Sequence, residues 1–338
     1  MNSMMWRMLA SATVAVALAQ GSAALAQQKT EIALSRQPGI FYMPSHIIEK
    51  QKLIEKHAAA LGVPGITTKW LTFSGGGAQT DALLAGGVDI LNTGTGNLLL
   101  LWDRTRGGVK GIVATSALPM TLISRDPKIK SLKDFGPNDK IALPTVKVST
   151  QAIVLQIAAG ELFGSDQWSK LDPNTVQLGH PDAYAAMSNP QHEVRSHFSI
   201  PPFTFLELKN VPGAHVVLES PDVMGGPLSQ AQFFTTTKFA DANPKIIQAV
   251  RLATKEAQDL IRSDPRLAVE IYKEITGDKT SVEDLLAWLK EPGMMEWNLE
   301  PQGTMKFGAH LFKTGTLKKQ PNAWTDYYLP VAHDLPGN

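Results

Sequence analysis

Three short turns rich in glycine and hydroxyl side chains are the part of this sequence best suited to bind a ligand. The first contains Ser74, Gly75 and Gly76, between an apolar run typical of a strand (67–73) and a helical pattern (79–85). A turn that opens a helix in this way leaves unpaired backbone N–H groups at the positive end of the helix dipole. The sequence therefore predicts an anion-binding cradle here.

The other two turns have the same chemistry. Thr93, Gly94 and Thr95 follow a strand-like run and precede a second helical pattern. Ser149 and Thr150 open a helical pattern further along the chain, where ordinary N-capping by the hydroxyl group is the alternative interpretation. Because the first two turns lie close together in the sequence, we expect a pocket for a small ligand, and Ser149 and Thr150 could close on it from the opposite side.

Aromatic residues and one histidine are candidates for the remaining walls of the pocket. Phe41 and Tyr42 follow Gly39 at the exit of the first predicted strand, where their rings could enclose the apolar part of a ligand or simply pack in the core. His197 and Phe198 precede a Pro-Pro pair, in a segment that we predict to be a loop. A histidine in that position could bind the ligand or serve as a structural hydrogen-bonding group.

Patterns that would indicate an enzyme are missing from the sequence. The eight histidines are scattered, and His192 and His197, with Glu193 between them, are the one pair near enough to suggest a metal site. No Gly-x-Ser-x-Gly nucleophile motif and no Gly-x-x-x-x-Gly-Lys-Ser/Thr phosphate loop occurs. We therefore predict ligand binding without catalysis, with no metal and no cofactor.

Charge and the N-terminus indicate an exported protein. The net charge of the 338 residues is +1, which gives no basic excess for a nucleic-acid partner. Residues 1–26 have the pattern of a cleaved signal peptide, with Arg7, a short apolar run and a cleavage site at Ala24-Leu25-Ala26. Because the chain has no cysteine, it cannot become a lipoprotein, and we expect it in the periplasm.

Strand-like and helical runs alternate along the chain, which predicts an α/β protein with parallel strands and, among others, one helix over 44–60. The C-terminal helices have too few strands for a sheet of their own, so they must cover the first one. This predicts two interleaved Rossmann-like lobes joined by a hinge: 27–117 with 228–338, and 118–227. Ligands of open α/β sheets lie beyond the carboxyl ends of the strands, so the pocket should lie between the lobes.

The sequence resembles the periplasmic substrate-binding proteins of ABC importers for nitrate, taurine and aliphatic sulfonates. The similarity covers nearly all of the chain after residue 26 and is carried by four blocks, at 73–89, 93–95, 130–135 with 140–142, and 147–150. The resemblance implies a type II periplasmic-binding-protein fold that closes over a small oxyanion. It also implies a monomeric receptor that meets the membrane only through an ABC permease and its ATPase.

Three alternatives to this function stay open. Residues 193–203, which line the second-lobe side of the cleft in the family, depart from the family pattern, so the solute could be a heteroaromatic compound such as a thiamine-pyrimidine precursor. The yeast-type thiamine-pyrimidine synthase resembles the same fold and would make the chain an enzyme, although that family carries a cysteine-rich stretch. A receptor that feeds a sensor kinase is the third alternative.

Overall fold

The computed structural model describes residues 29–338. The predicted signal peptide, residues 1–26, lies outside the described residues. Within 29–338, none of the helices combines the length and the apolar character that crossing a membrane requires.

The described residues form ten strands and thirteen α-helices. The strands are β1 (Glu31–Arg36), β2 (Thr67–Thr72), β3 (Ile90–Gly94), β4 (Val109–Ser116), β5 (Thr121–Ser124), β6 (Lys140–Leu143), β7 (Thr175–Gln177), β8 (Val194–Ser199), β9 (His215–Glu219) and β10 (Ala231–Thr236). The helices are α1 (Met43–Lys50), α2 (Leu53–Ala60), α3 (Gly76–Leu84), α4 (Thr95–Arg104), α5 (Thr150–Phe163), α6 (His180–Ser188), α7 (Phe203–Asn210), α8 (Ser220–Met224), α9 (Thr237–Ala242), α10 (Pro244–Ser263), α11 (Pro265–Thr276), α12 (Val282–Trp288) and α13 (Thr304–Lys313).

The strands make two five-stranded sheets. The first has the order β2-β1-β3-β10-β4 and the second has the order β7-β6-β8-β5-β9. The long amphipathic helix α10 packs on β4, α1 and α2 and thereby covers the first sheet, as predicted for the C-terminal helices. The largest apolar cluster contains residues from both sheets.

The prediction of parallel strands is wrong for β5 and β10, which are antiparallel to both of their neighbours. These are the strands with which the chain enters the second sheet and returns to the first. Only four residues separate the end of β4 at Ser116 from the start of β5 at Thr121. The chain therefore enters the second sheet at the edge where β6 and β8 end, and β5 runs from that edge toward the opposite one. As a result, the carboxyl ends of the parallel strands in the two sheets face each other.

Two further predictions of local structure are wrong. The helix predicted over 44–60 is divided into α1 and α2, because Lys52 has a left-handed backbone with φ 50°. The break lets α1 pack against α11 while α2 packs against α10. The segment around His197, predicted to be a loop, is the strand β8 between β6 and β5. Its polar side chains can be buried there because other buried polar groups bond to them.

Candidate functional site

The two sheets touch along a line that we call the seam. On the first-sheet side it consists of Gly39, Ser74, Gly75, Gly94 and Gly96, and on the second-sheet side of Pro144, Val148, Thr150, Gly179, Ile200 and Pro201.

Close approach of backbone to backbone is the reason for the glycines of the seam. A Cβ atom built on Gly75 would lie 2.8 Å from the carbonyl oxygen of Pro144. On the opposite side, a Cβ atom on Gly179 would lie 3.0 Å from the carbonyl oxygen of Ser74. The backbone N–H of Ile40, next to Gly39, donates a hydrogen bond of 3.0 Å to the carbonyl oxygen of Pro201. The sequence-predicted residues Gly39, Ser74 and Gly75 therefore lie where the two sheets meet.

Four helices begin at or beside the seam. On the first-sheet side these are α3 and α4, which follow Gly75 and Gly94, two residues without a side chain to cap them. On the second-sheet side they are α5 and α6, and Ser149 caps α5 by accepting a hydrogen bond of 3.2 Å from the N–H of Ala152. Each start directs free N–H groups and the positive end of a helix dipole outward. The turns at Gly76, Thr95 and Thr150 are helix starts, as their sequence predicts.

Uncharged polar side chains are buried behind the glycines of the first-sheet side. The amide of Gln37 donates hydrogen bonds to Gln79 Oε1 at 2.8 Å and to Thr93 Oγ1 at 2.6 Å. The hydroxyl of Tyr42 also bonds to Thr93, but burial outweighs that bond and raises the pKa of Tyr42 above its usual range. Gly76 belongs to the same cluster, since a Cβ atom there would lie 2.8 Å from Thr93 Oγ1. This network connects the first two turns.

Two buried polar atoms at the centre of the seam have no hydrogen-bond partner among residues 29–338. They are Thr150 Oγ1 and Gln230 Oε1. A Cβ atom on Gly94 would lie 2.6 Å from the first and 3.3 Å from the second, so both atoms lie next to Gly94. Buried polar groups in proteins are nearly always paired. The unpaired atoms beside Gly94 are therefore candidates for hydrogen bonds to a ligand.

Three of the predicted residues have side chains that are engaged elsewhere. The hydroxyl of Thr95 donates to the carbonyl oxygen of Ser229 and accepts from the amide of Gln232. Phe41 and Phe198 are fully buried in the largest apolar cluster. Only the backbone N–H of Thr95 remains for a ligand, and an aromatic wall built from Phe41 and Phe198 stays a prediction.

His197 lies behind the seam in a chain of buried polar groups. Its Nδ1 lies 2.6 Å from Glu207 Oε1, and its Nε2 lies 2.8 Å from His180 Nδ1. His180 Nε2 is in turn 3.2 Å from the side-chain nitrogen of Gln151, in the first turn of α5. Since protein groups occupy both ring nitrogens of His197, this residue can act on a ligand only through His180 and Gln151.

Sequence reasoning missed most of this polar chain. His180 is the first residue of α6, and burial together with the neighbouring His197 lowers its pKa well below the usual range. Gln151 and Glu207 are isolated polar residues in helical patterns, so no motif distinguishes them from surface residues. The same is true of Gln37 and Gln230. Asn97 also lies at this site, since a Cβ atom on Gly76 would be 2.5 Å from its Oδ1. It ends the turn that begins at Thr93, so the local sequence does indicate it.

No group of three or more His, Asp and Glu side chains in 29–338 is placed to hold a metal ion. His192 and His197, the near-pair in the sequence, have separate partners. His192 accepts a hydrogen bond from the N–H of Val194, while His197 bonds to His180 and Glu207.

Solved structures similar to this one include periplasmic binding proteins. One is the periplasmic aliphatic sulphonate binding protein SsuA from Escherichia coli, with a TM-score of 0.65 and 17% sequence identity over 89% of this chain and 92% of that one. A second is the alkanesulfonate-binding protein SsuA from Xanthomonas axonopodis pv. citri bound to MOPS, with a TM-score of 0.67 and 15% identity over 89% of this chain and 99% of that one. The periplasmic nitrate-binding protein NrtA from Synechocystis has a TM-score of 0.65 and 15% identity over 88% of this chain and 84% of that one.

These likenesses establish the fold. The chain has the α/β periplasmic-binding-protein fold with two sheets and an interleaved chain, and the predicted fold class is confirmed. No model of a known protein family and no curated protein sequence matches the chain.

Proposed function

We propose that this protein is an exported receptor that binds a small oxyanion, such as a sulfonate, taurine or nitrate, and delivers it to an ABC permease. In this proposal the two sheets belong to two lobes, 27–117 with 228–338 and 118–227, which close over the solute at the seam. The protein performs no chemistry on the solute. It acts as a monomer in the periplasm.

The observation that carries the proposal is the convergence of helix starts on the seam around two unpaired polar atoms. The starts of α3 and α4 face those of α5 and α6, and Thr150 Oγ1 and Gln230 Oε1 lie between them without partners among the described residues. Free N–H groups at helix starts bind oxyanions well. The polar side chains named beside them, such as Gln37 and Thr93, are neutral, so the helix starts would supply the attraction.

The ligands of similar proteins narrow the class to test. One SsuA structure carries MOPS, a sulfonate, and NrtA is described as nitrate-binding. Both ligands are oxyanions of strong acids, and both suit a site made of backbone N–H groups and hydroxyls. This supports an oxyanion as the first class of ligand to test.

Thermal unfolding of the chain from residue 27 with a panel of ligands tests the proposal. The panel contains ethanesulfonate, taurine, nitrate, a carboxylate and an aminopyrimidine. A ligand present at 100 times its Kd adds about 2.7 kcal/mol to the free energy of unfolding, so binders raise Tm measurably. Stabilisation by the sulfonates or nitrate supports the proposal. Stabilisation by the aminopyrimidine alone would replace it with a receptor for heteroaromatic compounds.

A further inference from the structure

A chain of four buried polar side chains connects the seam with the interior of the second sheet. It runs from Gln151 on α5 through His180 on α6 and His197 on β8 to Glu207 on α7, with successive distances of 3.2, 2.8 and 2.6 Å. None of the four is more than 2% exposed. Gln151 follows directly after Thr150, so the chain ends where a ligand would contact α5.

The four side chains can hold their protons in two arrangements. In the first, both histidines are neutral: the Gln151 amide donates to His180 Nε2, His180 donates from Nδ1 to His197 Nε2, and His197 donates from Nδ1 to the Glu207 carboxylate. An added proton reverses the first two bonds. His197 then donates from Nε2 to His180 Nδ1, and His180 donates from Nε2 to the amide oxygen of Gln151. The total charge of the four side chains changes from −1 to zero.

We propose that these four side chains together take up one proton from solvent when an oxyanion binds at the seam. This inference rests on the proposed receptor function. The added proton cancels the charge of Glu207. It also turns the oxygen of the Gln151 amide toward His180, so that both amide N–H groups become available on the seam side of α5. Gln151, His180, His197 and Glu207 are thus positioning residues for an anionic ligand.

Electrostatics favours this coupling. A buried carboxylate whose second oxygen, Glu207 Oε2, has no partner within 29–338 leaves negative charge behind the seam, and this charge opposes a bound anion. In the first arrangement both histidines are neutral, so Nε2 of His197 can accept the added proton once His180 has turned its own proton toward Gln151. A bound anion raises the proton affinity of the pair in return, since linkage is reciprocal.

Other titratable groups around these four side chains have partners of their own or are partly or fully exposed. Arg195 on β8 bonds to Asp126 at 3.1 Å, and Lys209 on α7 bonds to Asp284 at 2.8 Å. The remaining titratable residues on these elements are Glu161 on α5, Asp182 and Tyr184 on α6, and Lys140 on β6, while β5 has none. The segments packed on α5 add Asp103 and Arg104 on α4, Asp166 in the turn after α5, Asp222 on α8, and Lys306, His310 and Lys313 on α13. Glu207 is therefore the charge that the added proton must compensate.

Calorimetry with ethanesulfonate and nitrate as probes tests the proposal, because neither anion titrates between pH 5.5 and pH 8.5. Titrations in imidazole and in Tris avoid sulfonate buffers, and the difference in their ionisation heats gives the number of protons taken up. We expect uptake approaching one proton per anion. Over the pH range in which uptake is close to one proton per anion, affinity should fall about tenfold per pH unit.

Variants separate the coupling from a structural role. Glu207→Gln keeps the shape and removes the charge, so affinity should become nearly independent of pH. The matched control His57→Gln removes a histidine of α2, distant in the fold from the second sheet, that bonds to Glu256 at 2.7 Å, and it should leave proton uptake unchanged. The ¹⁵N shifts of the wild-type histidines give a second measurement. On binding, His197 should become doubly protonated, His180 should move its proton from Nδ1 to Nε2, and His57 should not change.

Three results would overturn the inference: anion binding without proton uptake, a Glu207→Gln profile parallel to that of the wild type, or loss of uptake in His57→Gln. If neither anion binds at any pH, the proposed function itself fails, and this inference fails with it.

Discussion

A side chain at position 75 would disturb the contact between the two sheets but not the turn in which Gly75 lies. Its φ of −168° is extended backbone that any residue adopts, so a side chain there would not strain the turn. The obstacle is the carbonyl oxygen of Pro144 in the other sheet, which would lie 2.8 Å from a Cβ atom on residue 75. Gly75→Ala should therefore leave each half folded and hinder their contact.

We expect Gly75→Ala to weaken binding of the best anion by roughly 1–3 kcal/mol, the usual cost of overpacking, or about 5- to 150-fold in Kd. The matched control is Gly77→Ala in the same turn, where the nearest atom to a Cβ would be Thr145 Cγ2 at an ordinary 3.6 Å. Calorimetry of both variants checks the prediction. Equal affinities for Gly75→Ala and Gly77→Ala would remove the seam as the binding site.

Thr150 provides a second test at the level of one atom. Because its hydroxyl is buried without a partner among residues 29–338, Thr150→Val should not lower the free energy of unfolding of the ligand-free protein. Anion binding should weaken by about 0.5–1.5 kcal/mol, since a hydrogen bond to the ligand is lost. The control, Thr254→Val, removes a hydroxyl that is equally buried but bonds to the carbonyl oxygen of Val250 at 2.7 Å.

Urea unfolding and calorimetry should give opposite results for these two variants. Thr254→Val should lose stability and keep its affinity, while Thr150→Val should lose affinity and keep its stability. A Thr150→Val protein that is destabilised and binds normally would mean that this hydroxyl has a structural partner.

At the scale of elements, the sequence predicts where helices start better than it predicts which helices and strands pack against each other. The turns at 74–76 and 93–95 could be located because glycines between a strand and a helix produce a local signal. The break at Lys52 has no such signal, since the helix is divided by its packing against α10 and α11. Strand β8 was missed for a related reason: its sequence, Val-Arg-Ser-His-Phe-Ser, is too polar for a central strand unless buried partners exist.

The polar centre of the site was predictable only in part. Thr150 belongs to a turn that the sequence marks, whereas Gln230 lies 80 positions further along and has no pattern of its own. The two meet beside Gly94 because the chain returns to the first sheet at β10. Such a meeting depends on the order of the strands, which the spacing of apolar residues does not determine.

The contact between α5 and α13 gives an element-scale prediction about pH. His310 on α13 lines a cavity of about 280 Å³ together with Trp168, whose ring it meets edge-on at 6.1 Å. Burial, with a smaller contribution from Lys313, lowers the pKa of His310 from 6.5 to about 4. As the pH falls, His310 is therefore protonated in the unfolded protein at a higher pH than in the folded protein. Stability from neutral His310 is complete above pH 6.5, declines down to about pH 4 and changes no further below that.

We expect His310→Gln to reduce the loss of unfolding free energy between pH 6.5 and pH 4, as measured by urea unfolding at several pH values. Part of the loss should remain in this variant, because burial also lowers the pKa values of His180 and His46. His57→Gln serves as the control for removing a histidine at a solvent-accessible position. Identical slopes for the wild type and His310→Gln would mean that this ring titrates normally in the folded protein.

On the scale of the whole molecule, the connections between the sheets decide how they can move. The chain crosses at 117–120 and again between β9 and β10, and the two crossings are bonded to each other. The N–H of Gln230 donates to Ser116 O at 3.0 Å, and the N–H of Ser220 donates to Met120 O at 2.9 Å. The C-terminal segment joins them, because the N–H of Ala117 donates to Glu296 O at 2.8 Å. These bonds form a compact axis at one end of the seam.

Rotation about this axis would open the seam while leaving both sheets intact. The contacts between the two halves include the backbone hydrogen bond from Ile40 to Pro201, the glycine contacts of the seam, and the ion pairs Lys209–Asp284 and Lys306–Glu161. An anion would favour the closed arrangement because helix starts on both sides reach it only there. We expect small-angle scattering to give a smaller radius of gyration with saturating ethanesulfonate than without it. Gly75→Ala should keep the larger value at the same anion concentration, and Gly77→Ala should respond like the wild type. Indistinguishable curves for the free and the saturated wild-type protein would contradict closure about this axis.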